Sequence, residues 1–167
     1  MEIRIEDDLD LRKIAESGQC FRWHHVSDGE YRIIHSGECL YIKQTGETEY
    51  RVECGADAFH AVWEPYFDLH EDYSKIRARI DRTRDDFLYR AAQEQRGIRI
   101  LRQDPWETLV SFIISQNKNI PSIRKSIELL ARSAGERRLD TRSLPYYAFP
   151  TPEAVFQMDA KFTLRNQ

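Results

Sequence analysis

Two short stretches of this chain have residue types and spacing suited to molecular recognition. The first is Ser17-Gly18-Gln19-Cys20-Phe21-Arg22-Trp23. Read alone, Gly18 is a strand-entry turn that needs the conformational freedom of glycine. The second is Asn117-Lys118-Asn119. The Asn117 amide offers both donors and acceptors at what reads as an exposed junction between two helices. The same pattern also fits plain capping, with Asn117 closing one helix and Asn119 opening the next. Lys118 can meet a phosphate or stand solvated. Bond-making residues are harder to find. His24, His25, His35, His60 and His70 lack the spacing of metal ligands. Cys20, Cys39 and Cys54 form no CxxC pair and read as reduced, half-buried thiols. No metal and no cofactor are expected.

The elements that must carry these stretches change character along the chain. Ile3 and Ile5 alternate with charged residues, and short runs rich in aromatic and β-branched residues follow at 20–26, 31–35, 39–43 and 50–54. Ser27-Asp28-Gly29, Ser36-Gly37 and Thr45-Gly46 separate them as turn signals. The connections are too short for helical crossovers, so an antiparallel meander of four or five strands is predicted. From Ala56 the period becomes helical through Phe59, Val62, Trp63, Tyr66 and Phe67. Ile76 and Ile80, then Phe87, Leu88 and Ala91, mark two short helices, the second closed by Gly97. Asp104-Pro105-Trp106-Glu107 is a cap-then-proline start with the residues of a capping box. The helix it opens carries Leu109, Val110, Ile113 and Ile114 and is predicted to be nearly buried, ending near Gln116. Another helix runs from Asn119 or Ile120 to Gly135, with Ile123, Ile127 and Leu130 on one face, and Thr151-Pro152-Glu153 opens a third. Residues 145–150 read as an ordered loop. Phe21 and Trp23 are predicted core residues, Trp23 packing sheet against helix, and Arg22 an ion-pair partner. The class is α+β, with a sheet domain at 1–72 and a helical domain at 73–167.

Charge divides along the same line. Residues 1–72 hold 7 Lys/Arg against 17 Asp/Glu, a net of −10, and residues 73–167 hold 18 against 11, a net of +7. A basic back half suits a polyanion, although arginine-rich helices are as often solvated faces laced with ion pairs. No apolar run approaches the roughly 18 residues of a membrane span. The N-terminus has no secretory pattern, so a cytoplasmic protein with no membrane partner is expected.

The Ser17–Trp23 stretch, together with Gly97-Ile98-Arg99-Ile100-Leu101-Arg102-Gln103-Asp104-Pro105 and Ser111-Phe112-Ile113-Ile114-Ser115-Gln116-Asn117-Lys118-Asn119-Ile120, resembles the 8-oxoguanine DNA glycosylases of the helix-hairpin-helix superfamily. Cys20, the Ile120-Pro121 step and Tyr146-Tyr147-Ala148-Phe149-Pro150 resemble the bacterial branch, which implies action at the nucleoid. The resemblance runs from about Leu9 to Phe156. It implies an antiparallel sheet domain followed by a helical domain. It also implies double-stranded DNA containing 8-oxoguanine as partner, with the base flipped out, and a monomeric enzyme. Gly18 falls on the glycine whose carbonyl reads the lesion. Asn117 falls on the asparagine that fills the vacated space, beside Lys118. Ser122 stands where eukaryotic relatives carry an arginine that reads the cytosine opposite, so a weaker cytosine preference is expected.

The family's nucleophile is a lysine in a glycine-rich helix-hairpin-helix, with an aspartate on a following helix. Gly18, Gly29, Gly37, Gly46, Gly55, Gly97 and Gly135 include no two close enough for that hairpin. No catalytic residue is therefore assigned. The chain closes on Leu164-Arg165-Asn166-Gln167 without a domain stop signal. The expectation is a front part of a DNA glycosylase/lyase, inactive alone. The competing expectation is a non-catalytic module that binds damaged DNA or another protein. The Ser17-Gly18-Gln19 motif argues against alkylated purines as the substrate.

Overall fold

The computed structural model describes residues 1–165, with side chains to Met158; Asn166 and Gln167 lie outside the described residues. Contacts group the chain into two compact units. The first is Met1–Arg32 with Tyr41–Arg102; the second is Ile33–Leu40 with the residues from Gln103 onward.

Five strands, β1 (Glu2–Arg4), β2 (Trp23–Ser27), β3 (Glu30–His35), β4 (Glu38–Gln44) and β5 (Glu49–Val52), form one sheet in the order β1-β5-β4-β3-β2. β5 pairs antiparallel with β1, Tyr50 opposite Ile3, and with β4, Val52 opposite Ile42. The predicted meander is present. Its β3–β4 turn has positive φ at both Ser36 and Gly37, the geometry whose twist matches a tight hairpin. Tyr50 and Val52 point inward while Glu49 and Arg51 are exposed, the alternation of a half-buried strand.

Helix α1 (Leu11–Glu16) interrupts the strands and was not expected. Six residues are too few for a helical period to register against neighbouring strands. Asp10 caps it, accepting from the Lys13 N–H at 2.9 Å, and it buries Leu11, Ile14 and Ala15. Helical turns α2 (Ala56–Ala58) and α3 (Glu64–Tyr66) flank a π-type turn, Phe59–Trp63. Together they bury Phe59, Trp63, Tyr66 and Phe67. Trp23 joins sheet to helix as predicted. Its indole N–H donates to the Tyr66 hydroxyl at 2.8 Å, and its ring meets Phe67 edge-on at 6.0 Å. Phe21 is only half-buried. Helices α4 (Tyr73–Ala78) and α5 (Asp86–Glu94) start at the capping side chains of Asp72 and Asp85. Phe87 and Leu88 of α5 are exposed.

The first unit runs on through residues 73–102. Arginines of the basic stretch reach back to the acidic front. Arg77 and Arg96 pair with Asp8, Arg99 with Asp7 at 2.8 Å, and Arg102 with Asp68 at 2.6 Å. Much of the charge asymmetry is thus neutralised inside the first unit, which favours the ion-pair reading of residues 73–102 over a polyanion face.

The second unit holds α6 (Pro105–Ser115), α7 (Ile120–Ala134), α8 (Pro152–Arg165) and a two-stranded sheet of β6 (Arg137–Leu139) with β7 (Pro145–Tyr147). Part of the predicted loop at 145–150 is therefore a strand, Tyr146 opposite Arg138. The Asp104 carboxylate caps α6 by accepting from the Glu107 N–H at 2.8 Å, with Pro105 in the first turn. Burial of α6 differs from expectation. Among the described residues only Ser111 of this helix is buried, whereas Leu109, Phe112 and Ile113 are 53%, 65% and 61% exposed. An apolar helix face specifies that a partner surface is needed; packing decides whether one is there. α7 buries Ile123, Ile127 and Ala131. Gly135 follows α7 at φ −80°, so glycine is not needed there for a left-handed cap. A Cβ at Gly135 would instead lie 1.9 Å from the Ala148 carbonyl oxygen.

Within the second unit, burial pushes the His35 imidazole down to about 4, with the Asp104 carboxylate opposing the shift. The unfolded chain accepts this proton near pH 6.5. Stability from neutral His35 is complete above that pH and is lost as pH falls from about 6.5 to about 4. Because the ring is partly exposed, the loss is about 1–2 kcal/mol after solvent screening. Urea unfolding at pH 7 and pH 4.5 should show a difference of that size in the wild type and a smaller one in His35→Asn. Equal pH dependence in the two proteins would refute the assignment.

No helix among the described residues is long and apolar enough to cross a membrane. The described residues also contain no group of three His, Cys, Asp or Glu side chains placed to hold a metal ion.

Candidate nucleic-acid interface

Gly18 lies at the exit of α1, where a strand-entry turn was expected. The Ser17 N–H donates to the Ile14 carbonyl at 3.2 Å and the Ser17 hydroxyl to the same oxygen at 2.7 Å, closing the helix. The chain then reverses through Gly18 at φ +79°, a left-handed conformation that costs other residues about 1–2 kcal/mol. Gly18 is exposed, and a Cβ built on it would meet nothing within 4 Å. The backbone is thus open to close approach from outside.

The flanks of this turn are fixed. Cys20 and Arg22 are buried. The Gln19 side chain donates from Nε2 to the Arg99 carbonyl at 2.8 Å and accepts the Leu101 N–H on Oε1 at 2.9 Å. The Lys13 ammonium, on α1, donates to the Glu94 and Arg96 carbonyls at 2.7 and 2.8 Å. Two of the stretches that carry the family resemblance are therefore tied together: Gln19, beside the Gly18 turn, is bonded to the Gly97–Arg102 segment. Sequence alone gives neither Gln19 nor Arg99 a role. The only available signal was polar and charged residues set among apolar ones at Ile98, Ile100 and Leu101.

The other three candidates belong to the second unit. Asn117 follows the end of α6 at φ +58°, the left-handed region that asparagine tolerates best after glycine. Its side chain is exposed and makes no hydrogen bond among the described residues. Asn119 is the cap of α7, accepting the Ser122 N–H at 3.0 Å. Asn117 therefore shapes the helix junction while leaving its amide available. Exposed Lys118 has its ammonium 3.2 Å from the Ser126 hydroxyl. Ser122 is exposed in the first turn of α7.

Two cavities lie elsewhere. One of about 680 Å³ in the second unit is lined by Trp106, Phe149, Pro150 and Arg138 among others. One of about 530 Å³ in the first unit is lined by Ile3, Ile5, Phe59 and Arg99 among others. Neither includes Gly18, Asn117, Lys118 or Ser122. All four candidates are on open surface, where a large ligand and not an enclosed small molecule would meet them.

Residues 2–109 match the family described as 8-oxoguanine DNA glycosylase, N-terminal domain. The chain belongs to this family. Gly18 lies inside the matched residues, and Asn117, Lys118 and Ser122 lie beyond them. The chain is similar to MBOgg1, solved in complex with a low affinity DNA ligand, at 41% identity and a TM-score of 0.85, over 93% of this chain and 53% of that one. It is also similar to the Clostridium acetobutylicum 8-oxoguanine glycosylase/lyase, solved with dsDNA containing cytosine opposite 8-oxoG. There the identity is 37% and the TM-score 0.80, over 92% of this chain and 55% of that one. The N-glycosylase/DNA lyase of Saccharomyces cerevisiae is 27% identical over 96% of this chain and 46% of its own length. This family member thus spans about half the length of the relatives it matches.

Proposed function

We propose that this chain is the lesion-reading front part of a bifunctional 8-oxoguanine DNA glycosylase/lyase that serves base-excision repair on double-stranded DNA. The observation that carries the reading is Gly18, a left-handed glycine at an exposed helix exit with open space before it, within the family-matched residues. Guanine presents an acceptor at N7, whereas 8-oxoguanine presents a proton there. A backbone carbonyl at Gly18 accepts from the lesion and leaves normal guanine with two acceptors face to face. An unmatched polar pair of this kind discriminates by about 1–3 kcal/mol. Flipping the base costs a few kcal/mol of stacking and pairing. Asn117, with its free amide on a capped helix junction, fills the gap, and Lys118 supplies a cation for the backbone. In the whole enzyme a lysine amine attacks C1′, expels the base and forms a Schiff base that permits β-elimination. The reading assigns that lysine, and its partner aspartate, to no residue of this chain.

The 167-residue protein is therefore expected to give neither excision of 8-oxoguanine nor a covalent complex with DNA under borohydride. Its affinity for a duplex with 8-oxoguanine opposite cytosine should exceed that for the undamaged duplex by about tenfold, and both should weaken steeply with salt. Anisotropy titration checks the affinities. A borohydride-trapped complex refutes the division of labour, and equal affinities refute the lesion reading.

Ser122 bears on the opposite base. A serine hydroxyl is short and uncharged and cannot make the forked contact of arginine. Affinities for 8-oxoguanine opposite cytosine, adenine, guanine and thymine should lie within a few-fold of one another. Ser122→Arg should raise the cytosine preference by about tenfold, the worth of one good bidentate contact. A steep cytosine preference in the wild type would sink this reading.

A further inference from the structure

We propose that Gln19 is the positioning residue of the lesion reader: its side-chain amide holds the Gly18 turn in register on the Arg99–Leu101 segment. The inference rests on the reading of Gly18 given above. A carboxamide is a copy of the peptide group, with one donor side and one acceptor side. Gln19 uses both, donating to the Arg99 carbonyl at 2.8 Å and accepting the Leu101 N–H at 2.9 Å. Those two groups, on residues i and i+2 of a segment that is neither helix nor strand, are the pair that a neighbouring parallel strand would engage. The Gln19 side chain thus stands in for one residue of a missing strand. The Ile100 N–H donates to the Tyr73 hydroxyl at 3.0 Å, which ties the segment to a second partner. It is anchored further by Arg99, whose side chain is 1% exposed.

The turn itself is held more loosely: the Gln19 N–H, in the same peptide unit as the Gly18 carbonyl, donates to the Ser17 hydroxyl at 3.4 Å. Gly18 is exposed with nothing within 4 Å of its Cβ position, so no packing contact of its own helps to set where its carbonyl lies. Discrimination between an N–H and a lone pair at one atom requires the acceptor to be held within about 0.5 Å. The Gln19 clasp, one residue away, provides that restraint. Other amino acids at this position can fill the space, but only a side chain with both a donor and an acceptor at this reach reproduces the two bonds. Glutamate keeps the acceptor and loses the donor, and methionine keeps the shape and loses both.

The test compares wild type, Gln19→Glu and Gln19→Met by two readouts. Amide hydrogen exchange reports the clasp, and the ratio of affinities for 8-oxoguanine and undamaged duplexes reports the reader. The ratio is insensitive to a loss of folded fraction, which weakens both affinities alike. In Gln19→Met, protection of the Leu101 N–H should fall by about tenfold or more and the affinity ratio should approach one. In Gln19→Glu, which keeps an acceptor for the Leu101 N–H but sets a carboxylate oxygen against the Arg99 carbonyl, and which serves if Gln19→Met does not fold, protection should fall less than in Gln19→Met and the ratio should fall a few-fold. Lost protection at Leu101 with an unchanged affinity ratio makes Gln19 a structural residue only and overturns the proposal. Unchanged protection in Gln19→Met overturns it as well. Equal affinities in the wild type remove the Gly18 reading, and the positioning role with it, a result distinct from either of the other two.

Discussion

Replacing Arg99 with alanine is expected to cost about 3–5 kcal/mol of stability, enough to unfold much of the first unit. The guanidinium is almost wholly enclosed, and its donors go to groups from separate parts of the chain. Nε donates to the Asp8 carbonyl at 2.8 Å, and Nη1 to those of Asp68 and Glu71 at 2.7 and 3.2 Å. Nη2 donates to the Asp7 carboxylate at 2.8 Å. The Tyr73 ring covers it with its centroid 4.6 Å away. Alanine would take a charge-assisted donor from three backbone carbonyls and a carboxylate at once, leaving the Asp7 carboxylate with the Tyr73 and Ser74 N–H groups and the Asp68 carbonyl with the Glu71 N–H. Lysine keeps the charge but not the planar fork, so Arg99→Lys should recover less than half of the loss. Urea unfolding followed by tryptophan fluorescence measures both, because Trp23 and Trp63 are buried in this unit. A loss below 1 kcal/mol for Arg99→Ala would mean that the hub is dispensable.

Gly97→Ala should be nearly as severe, at about 3 kcal/mol, for a steric reason. Gly97 has φ +97°, where an L side chain is strained in any surroundings. A Cβ there would lie 2.5 Å from the Asp10 Cβ and 3.0 Å from its backbone nitrogen, and that nitrogen donates to the Gly97 carbonyl at 2.9 Å. Relief requires Asp10, the cap of α1, to move, and α1 leads directly into Gly18. Gly18→Ala forms the contrast. It has the same sign of φ but open space, so its folding cost should stay near 1–2 kcal/mol while binding of the lesion falls. Denaturation midpoints for the two variants, measured side by side, check the difference in stability. Equal costs would show that the contact with Asp10 yields freely.

Much of the architecture was legible because local rules governed it. The sheet followed from runs separated by tight turns, and Ser36-Gly37 adopts the paired positive φ that such a turn requires. The cap at Asp104 with Pro105, and the cap at Asn119, were equally local, since each is decided within four residues. α1 escaped notice because its six residues hold less than two turns of periodic signal. By sequence Gly135 is a helix terminator, whereas its backbone is ordinary and its need for glycine comes from Ala148, thirteen residues away in the chain.

For the site, the residue types and their order by themselves determined the family resemblance, the candidate positions Gly18, Asn117, Lys118 and Ser122, and the lack of a nucleophile motif. They also determined where charge of each sign resides. Only the tertiary structure decided what that charge does: aspartates 7, 8 and 68 take up arginines 77, 96, 99 and 102 across long stretches of sequence. Only the tertiary structure decided that α6 leaves Phe112 and Ile113 exposed, because an apolar stripe records a demand for burial and not its supply. The clasp of Gln19 on Arg99 and Leu101 was likewise beyond sequence, since a glutamine amide satisfies water as readily as backbone until folding brings a matching donor and acceptor within 3 Å.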